Sequence, residues 1–325
     1  MSETAGHILR QMAPSRFRVE HPLAVNAKDG SVLVFIPAGE FEMGDGQRED
    51  CPNHQVELSG YWIGVYAVTN AQYLEFVEAT GHRVPVPDTA HSGDAVWKDR
   101  SFPPAKADHP VVFVSWEDSL AYAKWAGCEL ASEAQWEKAC RGPLGLFYPW
   151  GKEWDASKCR NRGNQDDEQT SAVYGYPRGV SGYGTYNQSG NVFEWCADWR
   201  EEKYYGKSPA KDPKGPEGDV FRVFRGGYWR TNEPAAFRGA ERGGLLPWIR
   251  TDYIGLRLVR RAKSMSNCRE FLELLPVYFS YDRLERRMYH ADILEKLMQH
   301  AKVCESCANE YEEARSQKSG WFGMG

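Results

Sequence analysis

Between Tyr183 and Arg257 the chain is built from short groups of glycine, aromatic and arginine residues, a composition that leaves little room for regular helix. The groups are Gly190-Asn-Val-Phe-Glu-Trp-Cys196, Arg225-Gly-Gly-Tyr-Trp229, Phe237-Arg-Gly-Ala-Glu-Arg242 and Gly255-Leu-Arg257. Brief strands are expected at 192–197, 222–225 and 254–259, separated by turns. The first half reads differently. Thr69-Asn70 opens a helix over 71–79 with Tyr73, Phe76 and Val77 on one face, and Gly81 ends it. Ser115 with Asp118 caps a second helix over 116–126, with Trp116, Leu120, Ala123 and Trp125 as its core face, and Ser132-Glu-Ala-Gln135 caps a third. Strands are expected at 31–38, 54–58, 61–65 and 111–114, with Gly39 to Gly44 as a turn. Helices early and short irregular strands late define an α+β domain.

The chain has 325 residues and a net charge of −5, with no isolated run of Lys/Arg, so a nucleic-acid footprint is not expected. Met1 to Met12 lacks an apolar signal-like core and no 18 apolar residues run together, which points to a cytoplasmic protein with no membrane partner. Of eight cysteines, five (Cys51, Cys128, Cys140, Cys159, Cys196) stand singly and read as buried reduced thiols. The other three, Cys268, Cys304 and Cys307, are gathered near the C-terminus.

The groups above, together with Phe35-Ile-Pro-Ala-Gly-Glu-Phe-Glu-Met-Gly44, Val114-Ser-Trp-Glu-Asp118, Glu133-Ala-Gln-Trp-Glu137 and Tyr148-Pro-Trp-Gly151, resemble the formylglycine-generating-enzyme, or sulfatase-modifying-factor, family over about residues 31–261. The resemblance implies a C-type-lectin-like fold of the formylglycine-generating-enzyme type. The domain boundaries it suggests are a lead-in at 1–30, the family domain at 31–263 and a tail at 264–325. In catalytic members two cysteines hold copper and perform the oxidation, and the matching positions here read Pro234 and Gly239. Without those thiols no copper is expected. The related sulfoxide synthases use three histidines on a preceding helical domain. No such set is read here, where His54, His82, His91 and His109 are scattered.

The same resemblance implies calcium at Asn187 and Glu194 by side chain and at Gly190 and Val192 by carbonyl, with a second, weaker site at Asn161 and Asp167. It also places a loop-built binding face near Tyr228, Trp229, Arg230, Phe237, Arg238, Arg242, Trp248 and Arg250. Aromatic and arginine residues carry most interface energy where they are desolvated.

After Ser264 the composition shifts to Leu, Glu, Arg and Met at helical spacing. His300, Cys304 and Cys307 stand at i, i+4 and i+7, one helical face, and Cys268 at the head of an earlier helix completes a Cys3His set suited to structural zinc. This tail resembles the zinc-binding anti-sigma domain. The combined expectation is a non-catalytic regulatory protein, calcium-braced and zinc-stapled, that binds a protein partner, a sigma factor first, in a signalling or CRISPR-linked defence module. A metal-dependent oxidase of the same superfamily and a lectin-like ligand binder are the alternatives.

Overall fold

The computed structural model describes residues 23–87, 95–164 and 169–262, with 297–298, 308–309 and 311 from the C-terminal segment. Strands β1 (Leu23–Val25), β2 (Val32–Ile36), β5 (Tyr61–Gly64), β11 (Leu258–Arg261) and β6 (Glu129–Leu130) form one sheet in the order β1-β2-β5-β11-β6. A second sheet has the order β10-β7-β8-β9, from Ile254–Leu256, Phe193–Trp199, Arg222–Arg225 and Arg242–Leu245. Strands β3 (Gly39–Met43) and β4 (His54–Leu58) pair as a hairpin. Within the described residues of 23–262, the helices α1 (Asn70–Thr80), α2 (Trp116–Trp125) and α3 (Glu133–Arg141) lie among these strands.

Each helix begins where its capping chemistry dictates. Thr69 with Gln72, Ser115 with Asp118, and Ser132 with Gln135 each close a reciprocal capping box, satisfying main-chain donors that the first turn leaves free. Gly81 ends α1 in the left-handed region at φ 71°. Tyr73, Phe76 and Val77 are buried as their spacing predicts. On α2 the fully buried aromatic is Tyr122, while Trp116, Leu120 and Trp125 are only half-buried.

The structure departs from the sequence reading in four places. The lead-in contributes β1, which pairs with β2. Gly39–Met43 is a strand, paired residue by residue with His54–Leu58. Val111 to Val114 is not a strand, because Phe113 sits at φ 59° and its N–H turns to the Thr251 carbonyl. Residues 254–261 break at Arg257, so that β10 belongs to one sheet and β11 to the other. That break places one arginine at the seam between the sheets.

A buried charge network and an outer aromatic face

Arg257 is fully buried, and its guanidinium spends its donors on five acceptors. One terminal nitrogen donates to the carbonyls of Gly64 and Val65 at 2.8 and 2.9 Å. The other donates to the Tyr186 carbonyl and to Glu194 Oε1 at 2.7 and 2.6 Å. Nε donates to Glu194 Oε2 at 2.8 Å, and the Trp136 indole N–H reaches that same oxygen at 2.7 Å. This bidentate pair ties β5, β7, α3 and the 186 loop into one seam.

A second network lies alongside it. Arg225 donates to Glu133, Glu137 and the carbonyls of Gly239 and Ala240. Arg242 holds both oxygens of Glu133 at 2.8 Å, and Arg141 joins Glu137 to the carbonyls of Glu42 and Gly44. Against the upward push of burial, Arg242 and Arg225 hold the Glu133 carboxyl below its usual range. The two glycines after Arg225 are needed for this packing. Gly226 has φ 108° with Trp136 and the Gln188 carbonyl just over 3 Å from where a Cβ would stand, and at Gly227 a Cβ would overlap the Phe237 ring at 2.7 Å.

These contacts reassign several of the expected site residues. Glu194 accepts from Arg257 at both carboxylate oxygens and from the Trp136 indole N–H at Oε2, so the carboxylate expected to face calcium is bonded to a guanidinium. Asn187 donates its amide to the Val173 carbonyl, while Gly190 N–H closes onto Gly226. Val192 is buried in a small cluster with Val112 and Phe113. Asn161 is similarly engaged, accepting from Gly163 N–H and donating to the carbonyls of Ala156 and Cys159. Asp167 lies outside the described residues, as do Cys268, His300, Cys304 and Cys307. Among the described residues no three His, Cys, Asp or Glu side chains converge as a metal group would require.

The two positions matched to the reactive cysteines are not alike. Pro234 is exposed at the start of a 3-10 turn over Pro234–Phe237. Gly239 is interior: a Cβ there would lie 2.5 Å from Arg141 Cγ and 3.2 Å from Cys140 Sγ. A side chain at 239 would point into the core, so glycine at that position is a packing requirement rather than a mark of lost surface chemistry. All five cysteines of the domain are buried and free. Burial pushes the thiols of Cys51, Cys128, Cys140 and Cys159 up to about 12, and that of Cys196 well above its ordinary value.

The expected binding face divides in the same way. Trp229, Phe237, Arg238 and Arg242 are buried, and Arg238 is held by Asp45 and Glu241. What faces outward is one side of the β10-β7-β8-β9 sheet. Phe193 lies 4.4 Å from Phe224 and 4.9 Å from Tyr228 between ring centroids, and Tyr228 lies 4.8 Å from Tyr253. Gly243 makes room for the first pair, since a Cβ there would meet the Phe224 ring at 2.3 Å. Further along, the Arg222 guanidinium is sandwiched between Trp116 at 3.6 Å and Trp199 at 3.4 Å. Trp248 and Val220 are each 59% exposed and Phe221 is 41% exposed. Arg230 stacks on Trp229 and pairs with Asp252 at 2.7 Å with nearly half its side chain in solvent, and Arg250 reaches towards the Val86 carbonyl. Phe193, Phe224, Tyr253 and Arg222 were not singled out by sequence reasoning. The signal lay in the alternation of β8 and in the Gly243-Gly244 pair opposite it.

The architecture is thus an α+β domain in which two sheets are locked by buried arginine–carboxylate pairs, with an aromatic face on one of them. The chain belongs to the sulfatase-modifying factor enzyme 1-like domain family, whose model matches residues 20–262. It is 34% identical over 279 residues to the formylglycine-generating enzyme of Streptomyces coelicolor, an alignment that covers 70% of this chain and 89% of that one. It is 39% identical over 210 residues to the serine/threonine-protein kinase Pkn1 of Chlamydia trachomatis, covering 61% of this chain but only 33% of that protein, so it spans about a third of that relative's length. The structure of PvdO from Pseudomonas aeruginosa superposes with a TM-score of 0.64 at 29% identity, covering 74% of this chain and 98% of PvdO. Among the described residues no helix is long and apolar enough to cross a membrane.

Proposed function

We propose that this chain is a non-catalytic member of its family that binds a protein partner, a sigma factor first, through the outer aromatic face and a zinc-stapled C-terminal segment. The observation that carries the reading is the state of the thiols. Each cysteine of the domain is buried with its thiolate disfavoured, and the exposed segment 230–235 beside the aromatic face contains none. Oxidation through a surface thiol has no residue to begin from there, whereas Phe193, Tyr228, Arg222 and Trp248 supply the aromatic and arginine anchors that protein interfaces favour. In the tail, Cys268, His300, Cys304 and Cys307 are the proposed zinc ligands, with metal binding supplying stability that so short a segment lacks by itself.

Calorimetric titration of the full chain against purified sigma factors of its host should give a saturable complex that Trp248→Ala weakens. Failure to bind any of them would remove the sigma-factor reading. Metal analysis should find one zinc per chain, lost in Cys304→Ser/Cys307→Ser; a zinc-free wild type overturns the tail assignment. The match to the Streptomyces coelicolor enzyme over most of its length favours a second reading, a metal-dependent oxidase. Oxygen consumption by copper-loaded protein with a cysteine-containing peptide would establish that reading in place of the first.

A further inference from the structure

The fold does not treat its strand edges alike. Val68 N–H donates to the Leu256 carbonyl and so closes the outer edge of β10. Lys138 and Arg141 of α3 donate to the Gly39 and Glu42 carbonyls along β3, and the chain at 210–212 bonds both main-chain groups of Glu57 on β4. Strand β9 is different. It ends the order β10-β7-β8-β9, and among the described residues no hydrogen bond reaches Gly243, Gly244 or Leu245 outside the ladder with β8.

Alternation along that ladder shows which groups are left over. Arg200 N–H donates to the Phe221 carbonyl, so Phe221, one residue before β8, turns its main chain towards β7. Arg222 and Phe224 then turn theirs towards β9, where Leu245 and Gly243 stand opposite them. Gly244, between these two, points its N–H and C=O to the open side. Both glycines are partly exposed, and the space a side chain would take is filled by neighbours. A Cβ at 243 would meet the Phe224 ring at 2.3 Å, and one at 244 would meet Arg200 Cδ at 2.4 Å and Phe221 Cβ at 3.0 Å. The strand also has no lysine, proline or bulge of the kind that keeps an edge from pairing.

We propose that β9 is a strand-addition site: an extended segment of the protein partner pairs with it through Gly244 and becomes the fifth strand of this sheet. This rests on the partner reading above and specifies how that partner is held. A ladder edge is matched by an extended main chain, whose own N–H and C=O supply the missing bonds. The side chains of such a segment alternate between the faces of the sheet. Those on the outer face meet the Phe224 ring, where the edge is continuous with the aromatic face, and those on the other side meet Phe221. The segment so defined is apolar at alternate residues and has no proline where it faces Gly244.

Hydrogen exchange of the full chain, followed by NMR, tests this. In the free protein Gly244 N–H should exchange at least about tenfold faster than the N–H groups of Gly243 and Leu245, which the ladder protects. Protection of Gly244 in the free protein would mean that the edge is already covered, by a second copy if it grows with concentration and by the chain itself if it does not. Either result overturns the proposal. A capped peptide, Lys-Val-Thr-Val-Thr-Val-Lys, should then slow Gly244 exchange by about tenfold or more. The same peptide N-methylated at every Val and Thr keeps its side chains but cannot donate, and should have no effect. No slowing by the unmodified peptide, or equal slowing by the methylated one, removes strand addition. A sigma-factor complex that forms with Gly244 unprotected also removes it and leaves the partner reading standing. Peptide protection without any such complex removes the partner reading alone.

Discussion

Strand β8 carries two arginines three residues apart that face opposite sides of one sheet, and the sheet puts them to opposite uses. Arg225 points inward, fully buried, with two carboxylates and two carbonyls around it and the Trp136 ring 5.4 Å away. Arg222 points outward between two tryptophan faces, donates to the Ala197 carbonyl and has no carboxylate bonded to it; burial lowers its guanidinium to about 10. The inner arginines belong to the machinery that fixes the fold, because a buried charge persists only when its partners are complete. The outer one is weakly hydrated and presented with aromatic neighbours, which suits recognition. Stability and the proposed binding are thus separated by the thickness of one sheet.

The largest effect expected from breaking this division is on the inside. Arg257→Met strands the Glu194 carboxylate in the core, and urea unfolding should register a loss of about 3–5 kcal/mol, with much of it recovered in the double variant Arg257→Met/Glu194→Leu. If the single variant unfolds like the wild type, the pair is not the seam between the sheets. A smaller loss is expected at Gly239, where Gly239→Val must displace Arg141 and should cost about 1–3 kcal/mol by the same measurement. No change would show that position 239 has free space and revive it as a functional position. On the outside the order inverts. Trp248→Ala should alter unfolding by less than about 0.5 kcal/mol yet weaken the proposed partner by at least about 2 kcal/mol in calorimetry. Tyr228→Ala, which removes one ring of a connected cluster, should show a smaller binding loss together with a modest stability loss, marking the boundary between the two regimes.

Much of the domain was legible in the chain. The three capping boxes, the strand at 222–225 and the family motifs follow from local chemistry that one segment carries by itself: a hydroxyl three residues before a carboxylate or amide, or alternation with period two. The candidate site was less so. Glu194 in a glycine-rich turn reads as a free oxygen donor, and only the fold brings Arg257 to it from 63 positions away. Trp229, Arg238 and Arg242 read as surface anchors because their residue types are common at interfaces, but tertiary packing buries all three. Phe193 and Phe224 are hard to tell from core by residue type, since half-buried aromatics on a sheet look like core until the covering layer is known.

The sequence by itself determined the α+β character, the starts of the helices, the family and the absence of cysteine at positions 234 and 239. Only the tertiary structure decided that position 239 is interior and that the Glu194 carboxylate is matched by a guanidinium. The physical reason is range. Caps and turns are settled within a few residues, whereas the charge state and exposure of a side chain depend on which distant groups the fold packs around it.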